Sequence, residues 1–250
     1  MNKTGKTMGR TLLVLLLLGA LGMSLAGCGL RIDFKNRTVE TAPKDLVTGS
    51  CTPEGPEKLV IDAEVANVTV RPGDAWALEY ALEQEPEITE TGGVLTFRDS
   101  PKNTVNIGIK NTPEQYINLT VPAEIALDLE VDVGDVTIGN LAFTDLSVET
   151  DVGDVKLENV TASGSLEAES DVGSVTLSKV NANSVAAISD VGDLDVNFTG
   201  ALADYALMVT TDMGDVTVDG MKQGNMYSTG GSIPVFFKTD TGDITVTFGG

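Results

Sequence analysis

Apolar and polar residues alternate along most of the chain after residue 57, and one kind of turn interrupts the alternation at regular intervals. The stretch Asp132–Ile138 shows the unit: an acid, one residue, Gly, a second polar residue, and then alternating apolar positions. Leu127 and Leu129 precede this turn, and Val136 and Ile138 follow it. Period-two alternation places such residues on one face of a short strand. The pattern predicts short β-strands joined by repeated turns.

Six copies of the turn carry a glycine at the same position. These glycines are Gly134, Gly153, Gly173, Gly192, Gly214 and Gly242. Their separations of 19, 20, 19, 22 and 28 residues are typical of a solenoid. A glycine at a fixed turn position indicates a backbone with positive φ, which a Cβ would disfavour. We therefore predict an all-β fold, namely a single-stranded parallel β-helix whose rungs of 19–22 residues each contain three short strands.

Two columns of acids would follow from this stacking. The first acids of the six turns are Asp132, Asp151, Asp171, Asp190, Asp212 and Asp240. The second acids form a column that Ser174 interrupts. Stacked carboxylates are ligands that Ca²⁺ prefers, so the first column is a candidate calcium site. The alternative is that each acid forms an Asx-turn with a backbone N–H, and Ser174 favours this alternative because serine keeps the acceptor without the charge.

Residues 1–27 have the pattern of a bacterial export signal. Lys3, Lys6 and Arg10 give a basic start, and Thr11–Leu21 is an apolar segment too short for a permanent membrane span. Leu25–Cys28 resembles the bacterial lipobox, which implies cleavage before Cys28 and a diacylglyceryl group on its thiol. The sequence therefore predicts a lipoprotein of the bacterial cell envelope, held on the membrane through the lipid on Cys28.

The chain that remains after cleavage is strongly acidic. The leader contains three of the 16 Lys and Arg residues and no acid, so 13 basic residues face 37 acids, a net charge of −24. Such a surface repels nucleic acid, which excludes that class of partner, and favours cationic partners. We expect an envelope protein, a glycan or a cationic peptide as partner. With Cys28 lipidated, Cys51 has no partner within the chain, so no disulfide framework is expected.

The order of segments gives three parts. Residues 28–56 lack sustained periodicity and predict a flexible tether. Residues 57–250 form the predicted solenoid, with atypical capping rungs over 57–126 and the repeated turns over 127–248. The last repeat is longer because of an insertion around residues 220–233, which predicts either a binding loop or a cap on the open end. Nearby outward positions become apolar at Ala186, Ile188, Met208 and Phe236, which favours cover by that loop or a contact surface.

The solenoid resembles a known family, the putative-adhesin β-solenoids of unknown function found in many bacterial lipoproteins and membrane proteins. The resemblance covers residues 57–248 and is carried by Val65–Val70, Tyr116–Pro122 and the Asp-x-Gly-Asp turns. It implies a β-helical fold and an exported location. It carries no catalytic motif, so it assigns no catalytic residue.

The lack of histidine and the placement of the acids limit the functions that we expect. The absence of His excludes Ser-His-Asp and Cys-His triads and His-ligated zinc. The acids follow the repeat instead of converging, which disfavours a glycan-active β-helix enzyme. We expect a non-enzymatic, membrane-anchored protein that presents an acidic solenoid for adhesion or envelope interaction. The second hypothesis is an envelope-stress or scaffold protein with a regulatory partner, and the third is the glycan-active enzyme.

Overall fold

The computed structural model describes residues 46–99, 113–122 and 124–249, and these residues are organised almost entirely as β-strands. The prediction of an all-β chain is confirmed. The leader, Cys28 and residues 28–45 lie outside the described residues. One turn of 3-10 helix occurs at Leu202–Asp204. Across the described ranges, no helix has the length and apolarity needed to cross a membrane.

Within the described ranges, eighteen strands form one continuous hydrogen-bonded sheet that winds round the core. In chain order they are β1 Val47–Cys51, β2 Lys58–Val65, β3 Asn67–Pro72, β4 Ala77–Leu82, β5 Glu87–Thr91, β6 Val94–Arg98, β7 Tyr116–Val121, β8 Ile125–Val133, β9 Val136–Val152, β10 Val155–Val172, β11 Val175–Val191, β12 Leu194–Phe198, β13 Tyr205–Met213, β14 Val216–Val218, β15 Met221–Gly224, β16 Met226–Ser228, β17 Ile233–Thr241 and β18 Ile244–Phe248.

The long strands β9, β10 and β11 stack in parallel. Val136 pairs with Val155, and Val155 pairs with Val175, so equivalent residues are 19 and 20 positions apart. Each long strand bends at one residue with positive φ: Asn140, Asn159 or Lys179. Asparagine accepts this left-handed conformation more readily than most residues. The bend separates two segments of each strand that belong to different ladders of the sheet.

The first ladder contains the carboxyl-terminal segments of β9, β10 and β11. Its order is β5, β6, β2, β8, β9, β10, β11, β17, β13, β16. The second ladder contains the amino-terminal segments, and its order is β1, β4, β7, β3, β9, β10, β11, β12, β18, β14, β15. The Asp-x-Gly-Asp turns join a strand of the first ladder to the next strand of the second.

The stacking order departs from the chain order at both ends. The last strands, β17 and β18, lie between β11–β12 and β13–β14, although they follow β13–β14 in sequence. At the other end, β2 lies between β6 and β8, and β3 lies between β7 and β9. Antiparallel strands complete each end: β1, β4 and β5 on one side, β15 and β16 on the other. These short strands pair edges that would otherwise be open to another chain.

Alternating apolar side chains from both ladders fill a continuous core. Phe97, Phe143, Phe198 and Phe237 are fully buried within it. At the carboxyl-terminal end Phe198 stacks on Tyr205, with ring centroids 4.3 Å apart. Burial of these rings, together with the more numerous aliphatic side chains of the core, stabilises the stacking of the rungs.

The structure corrects the predicted extent of the tether. Residues 47–51 belong to the sheet, because β1 pairs antiparallel with β4 from Val47–Leu82 to Cys51–Leu78. Alternation is hard to recognise in this five-residue edge strand, since none of its residues is fully buried. The segment before residue 46 lies outside the described residues.

Candidate interaction surface

The glycines of the six turns form a column in which each backbone touches the next. Their φ angles lie between 152° and 158°. A Cβ on Gly153 would lie 2.0 Å from the carbonyl oxygen of Gly134, and a Cβ on Gly173 would lie 2.0 Å from that of Gly153. Glycine is required here both by the backbone conformation and by the close approach of neighbouring rungs. The order of these contacts follows the stacking of the rungs and not the chain order. Gly242 approaches Gly192, and Gly214 approaches Gly242.

A column of buried hydroxyls supports the glycine column from inside. Its members donate hydrogen bonds of 2.9–3.2 Å to the glycine carbonyl of a neighbouring rung. They are Thr150, Ser170, Ser189, Thr239 and Thr211, each almost fully buried. A buried hydroxyl without a partner would cost about 1–3 kcal/mol, and these bonds remove that cost. Val131 occupies the corresponding position of β8, directly before Asp132.

The second acids of four turns link one rung to the next. The Oδ1 of Asp135 accepts a hydrogen bond from the backbone N–H of Asp154 at 2.9 Å, and Asp154 accepts one from Ser174 at 2.8 Å. Asp193 accepts from Asp243 and Asp243 from Asp215, both at 2.8 Å. The carboxylates of these acids accept hydrogen bonds from backbone N–H groups of neighbouring rungs, and Ser174 takes part as a donor through its backbone N–H.

The first acid of each turn follows, in sequence, the residue at the buried hydroxyl position, and it is half buried or exposed. These acids are Asp132, Asp151, Asp171, Asp190, Asp212 and Asp240. Burial and the nearby charge of Asp240 raise the pKa of Asp190. Lys238 donates a hydrogen bond to Asp240, which raises the pKa of Lys238. Among the described residues, no group of three or more Cys, Asp or Glu side chains is close enough to hold a metal ion.

The residue between the first acid and the glycine forms an exposed apolar row. Val133, Val152, Val172 and Val191 are paired in register along the first ladder and remain 36–45% exposed. Thr241 and then Met213 continue the row. We call these residues the valine row. It lies at the corner where the Asp-x-Gly-Asp turns join the two ladders.

We call the outward side of the first ladder the outer face, and part of it is a concave apolar surface. A shallow depression of about 390 Å³ is present at its carboxyl-terminal end. The lining residues that point outward include Glu167, Ala186, Phe236 and Met208, which are paired in this order on adjacent strands. Ala186 is small and lies between the larger side chains of Glu167 and Phe236, so it forms the floor of the depression.

The insertion around residues 220–233 leaves this depression open. It forms β15 and β16, which pair antiparallel with β14 and β13 and close the end of the stack. The Thr229 hydroxyl donates to the carbonyl of Tyr205 at 2.8 Å and accepts from the N–H of Leu207 at 3.1 Å. The sequence predicted either a binding loop or an end cap for this segment, and the antiparallel pairing of β15 and β16 fits the end cap. Met208 remains 59% exposed, so the apolar strip on the later rungs is not covered by the loop.

Two ionisable groups lie near the amino-terminal end. Cys51 is a free thiol, half buried, and its burial together with the charge of Glu90 raises its pKa. Asp99 is 5% exposed, and its Oδ1 has no hydrogen-bond partner in the part of the chain that the structure describes. Burial, followed by the charges of Asp62 and Glu83, raises the pKa of Asp99. Neither group lines the depression on the outer face.

Sequence reasoning identified the turn glycines and the apolar strip but missed the buried hydroxyls and the valine row. Both carry a signal in the sequence. Thr or Ser precedes the first acid in five of the six turns, and Val stands between the first acid and Gly in four of them. The pairing of the second acids across rungs has no such signal, because it depends on which rungs become neighbours.

Comparison with solved structures gives similarities of low identity. A putative cell adhesion protein from Clostridium sporogenes ATCC 15579 is 14% identical, with a TM-score of 0.43, over 81% of this chain and 99% of that chain. A putative adhesin from Bacteroides fragilis NCTC 9343 is 21% identical, with a TM-score of 0.46, over 82% and 97% of the two chains. A putative lipid binding protein from Parabacteroides distasonis ATCC 8503 is 13% identical, with a TM-score of 0.28, over 82% and 95%.

No curated protein matches the chain. The sequence model of one family matches residues 56–249, which is most of the chain and includes every Asp-x-Gly-Asp turn. The chain belongs to the Toastrack DUF4097 family.

Proposed function

We propose that this protein is a non-catalytic binding module of the bacterial cell envelope, anchored by a lipid on Cys28, whose outer face contacts a partner. The domain is a β-solenoid with rungs of 19–22 residues and a capping region over 57–126. Residues 1–27 act as the export signal, and the segment before residue 46 separates the domain from the membrane.

The open depression on the outer face is the observation that supports this function. Most of the outward surface of this acidic chain is polar, yet Ala186, Phe236 and Met208 form a concave apolar patch on three adjacent strands. Apolar depressions with a few polar groups at their edge are preferred places for ligands and partners to bind. The flanking strands of the ladder are paired on both sides, so the patch has a rigid backbone beneath it.

The chemistry of the depression favours binding over catalysis. Glu167 is the single ionisable side chain in its lining. Hydrolysis of a glycan uses two carboxyl groups in concert, and general acid–base catalysis of other reactions needs a positioned proton donor or acceptor near the reacting atoms. One exposed carboxylate beside apolar side chains can orient a ligand but does not supply that pair.

Site-specific cross-linking on intact cells tests this function. A photoreactive residue replaces Met208 in one variant and Met221 in the other, because both side chains are well exposed and both lie in the carboxyl-terminal region. We expect a defined adduct from position 208, identified by mass spectrometry, and none from position 221. Identical adduct patterns at the two positions would contradict a role for the outer face.

Anchoring is tested separately. Cys28→Ala should block lipidation and proper processing of the leader, and it should leave the thermal stability of the solenoid unchanged, since the lipid is attached outside the solenoid. A variant that stays in the membrane fraction with the same lipid as the natural protein would show that Cys28 is not the anchor.

A further inference from the structure

A second cavity lies at the amino-terminal ends of strands of the first ladder, at the opposite end of β8 and β9 from the Asp-x-Gly-Asp turns. Its volume is about 550 Å³, which is within the range of cavities that hold small ligands. We call it the tryptophan cavity, and its lining includes Gly55, Glu57, Trp76, Glu124, Ile125 and Thr144. It shares no lining residue with the depression on the outer face, so the two are separate surfaces.

Trp76 supplies the aromatic part of this cavity. It is half buried and packs against the hydrophobic core, which holds the indole ring in place. Its Nε1 lies beside Gly55, where a Cβ would be 3.9 Å away. Within the part of the chain that the structure describes, the Nε1–H donates no hydrogen bond, so this donor is available to a ligand. The negative face of an aromatic ring attracts polarised C–H bonds such as those of a sugar ring.

Hydrogen-bonding groups of both kinds surround the indole. The Glu57 carboxylate makes no hydrogen bond or ion pair with another described residue. The Oε1 of Glu124 accepts a hydrogen bond from the Ser163 hydroxyl at 3.0 Å, and its Oε2 is left as an acceptor. The exposed hydroxyl of Thr144 can both donate and accept. Sugar hydroxyls also donate and accept, so a saccharide matches this mixture of groups.

The backbone around these groups is fixed by the sheet. The N–H of Glu57 donates to the carbonyl of Gly93 at 2.8 Å, and the carbonyl of Glu57 accepts from the N–H of Ala126 at 3.1 Å. Glu124 directly precedes β8, whose first residue pairs with Phe143 of β9. The cavity is therefore largely formed before a ligand binds, which lowers the entropic cost of binding.

The charge of the cavity selects among ligands. Its described lining contains two carboxylates and no basic residue, and the processed chain has a net charge of −24. Phosphorylated, sulfated and sialylated ligands are repelled by this charge. An acyl chain would remove water from both carboxylates without replacing their hydrogen bonds, which is costly. A neutral saccharide meets neither penalty.

We infer that the tryptophan cavity binds a neutral saccharide unit of a glycan, stacked on Trp76 and hydrogen-bonded through its hydroxyls to Glu57, Glu124 and Thr144. This site goes beyond the proposed function, because it does not use the outer face. Glycan hydrolysis would need one carboxyl group of a pair to be kept protonated by apolar surroundings. Glu57 and Glu124 are both exposed, so the site binds a glycan without cleaving it.

Trp76 is the only tryptophan of the chain, so its fluorescence reports directly on this site. The lipidated full-length protein is kept in micelles of an oligoethylene glycol detergent, which carries neither sugar nor amine. It is titrated with four neutral saccharides: lactose, cellotriose, chitotriose and mannotriose. Sialyllactose is the anionic match of lactose, and choline tests whether a cation binds in place of a sugar. We expect a saturable change of emission at one site per chain with at least one neutral saccharide, and none with sialyllactose or choline.

Matched variants locate the site, with affinities measured by isothermal titration calorimetry. Trp76→Ala should weaken binding about tenfold and Trp76→Phe about threefold, since phenylalanine keeps an aromatic ring but lacks the Nε1–H. Glu57→Gln and Glu124→Gln should each weaken it about fivefold, because a charge-assisted hydrogen bond becomes a neutral one. Glu158→Gln is the control, since Glu158 is an exposed residue of β10 outside the cavity. Circular dichroism melts verify folding, and the two isosteric Gln variants keep the test valid if Trp76→Ala does not fold.

Several results would overturn the inference. These are no saturable change with any of the four neutral saccharides, binding of choline in their place, or equal affinities for lactose and sialyllactose. Affinities of Glu57→Gln and Glu124→Gln equal to that of Glu158→Gln would place the ligand outside the cavity and overturn it too. Release of reducing ends from a bound saccharide would contradict binding without cleavage. Cross-linking at position 208 does not depend on these results, so the proposed function is tested separately.

Discussion

Replacement of Gly153 by Ala tests the physical basis of the stack. The added Cβ would lie 2.0 Å from the carbonyl oxygen of Gly134 and 2.6 Å from its carbonyl carbon, and both atoms belong to the backbone of the preceding rung. A backbone held by strand pairing on both sides cannot move away as a flexible side chain can. The substitution also forces a residue with a Cβ to adopt a φ of 155°.

Two costs determine how much the substitution should lower the free energy of unfolding. A φ in this glycine-specific region costs about 1–3 kcal/mol. Forcing extra volume into a packed region costs about 1–3 kcal/mol. Their sum is about 4 kcal/mol, and for a domain of this size each kcal/mol lowers the Tm by about 2–4 °C. We therefore expect Gly153→Ala to lower the Tm by roughly 8–16 °C in differential scanning calorimetry.

Two control glycines separate the terms. Gly220 has a φ of 76°, but a Cβ there would meet no atom within 4 Å, so Gly220→Ala carries the conformational cost alone, about 1–2 kcal/mol. Gly139 lacks positive φ, and its Cβ would lie 3.6 Å from the nearest neighbouring atom, so Gly139→Ala should change the Tm little. Equal Tm shifts for Gly153→Ala and Gly220→Ala would refute the contact between rungs as the reason for the glycine column.

Three further predictions concern the buried hydroxyls, the order of the terminal rungs and the buried carboxyl group of Asp99. Ser170→Ala should lower the free energy of unfolding by about 1–2 kcal/mol in chemical denaturation, because the carbonyl of Gly153 loses its buried donor; no change would show that the hydroxyl column is incidental. Deletion of residues 233–250 should expose the amides of 205–218 to hydrogen exchange, because that rung loses its parallel partner; retained protection would contradict the interleaved order. Asp99→Asn should raise the Tm at pH 7, and the gain should vanish below about pH 4. The folded-state pKa of Asp99 is raised, so its favourable contribution is complete below the unfolded pKa and is lost as the pH rises through the folded one; a gain independent of pH would contradict this assignment.

The repeat could be predicted from the sequence because its signals are local. Alternation fixes which side chains enter the core, and a glycine is needed wherever a turn adopts the conformation seen at Gly153. The apolar strip at Ala186, Phe236 and Met208 was also visible, since outward positions are known once the strand alternation is known. Each of these inferences needs only a few consecutive residues.

The order of the terminal rungs could not be predicted in this way. The turns at Gly214 and Gly242 have the same pattern, and either could pair with the rung that contains Gly192. The choice depends on the long connection around residues 220–233. This connection returns the chain so that β17 and β18 lie between the two preceding rungs, β11–β12 and β13–β14. The partners of the second acids, such as Asp193 with Asp243, follow from that choice.

Methionine footprinting on intact cells tests most directly whether the outer face is the contact surface. In the isolated protein Met208, Met213, Met221 and Met226 are 59%, 67%, 64% and 66% exposed, so a mild oxidant should modify all four to similar extents. We predict that on cells Met208 becomes protected relative to Met221 and Met226 of the end cap and to Met213 of the valine row. Equal oxidation of the four, or protection of Met213 instead, would contradict the assignment of the outer face.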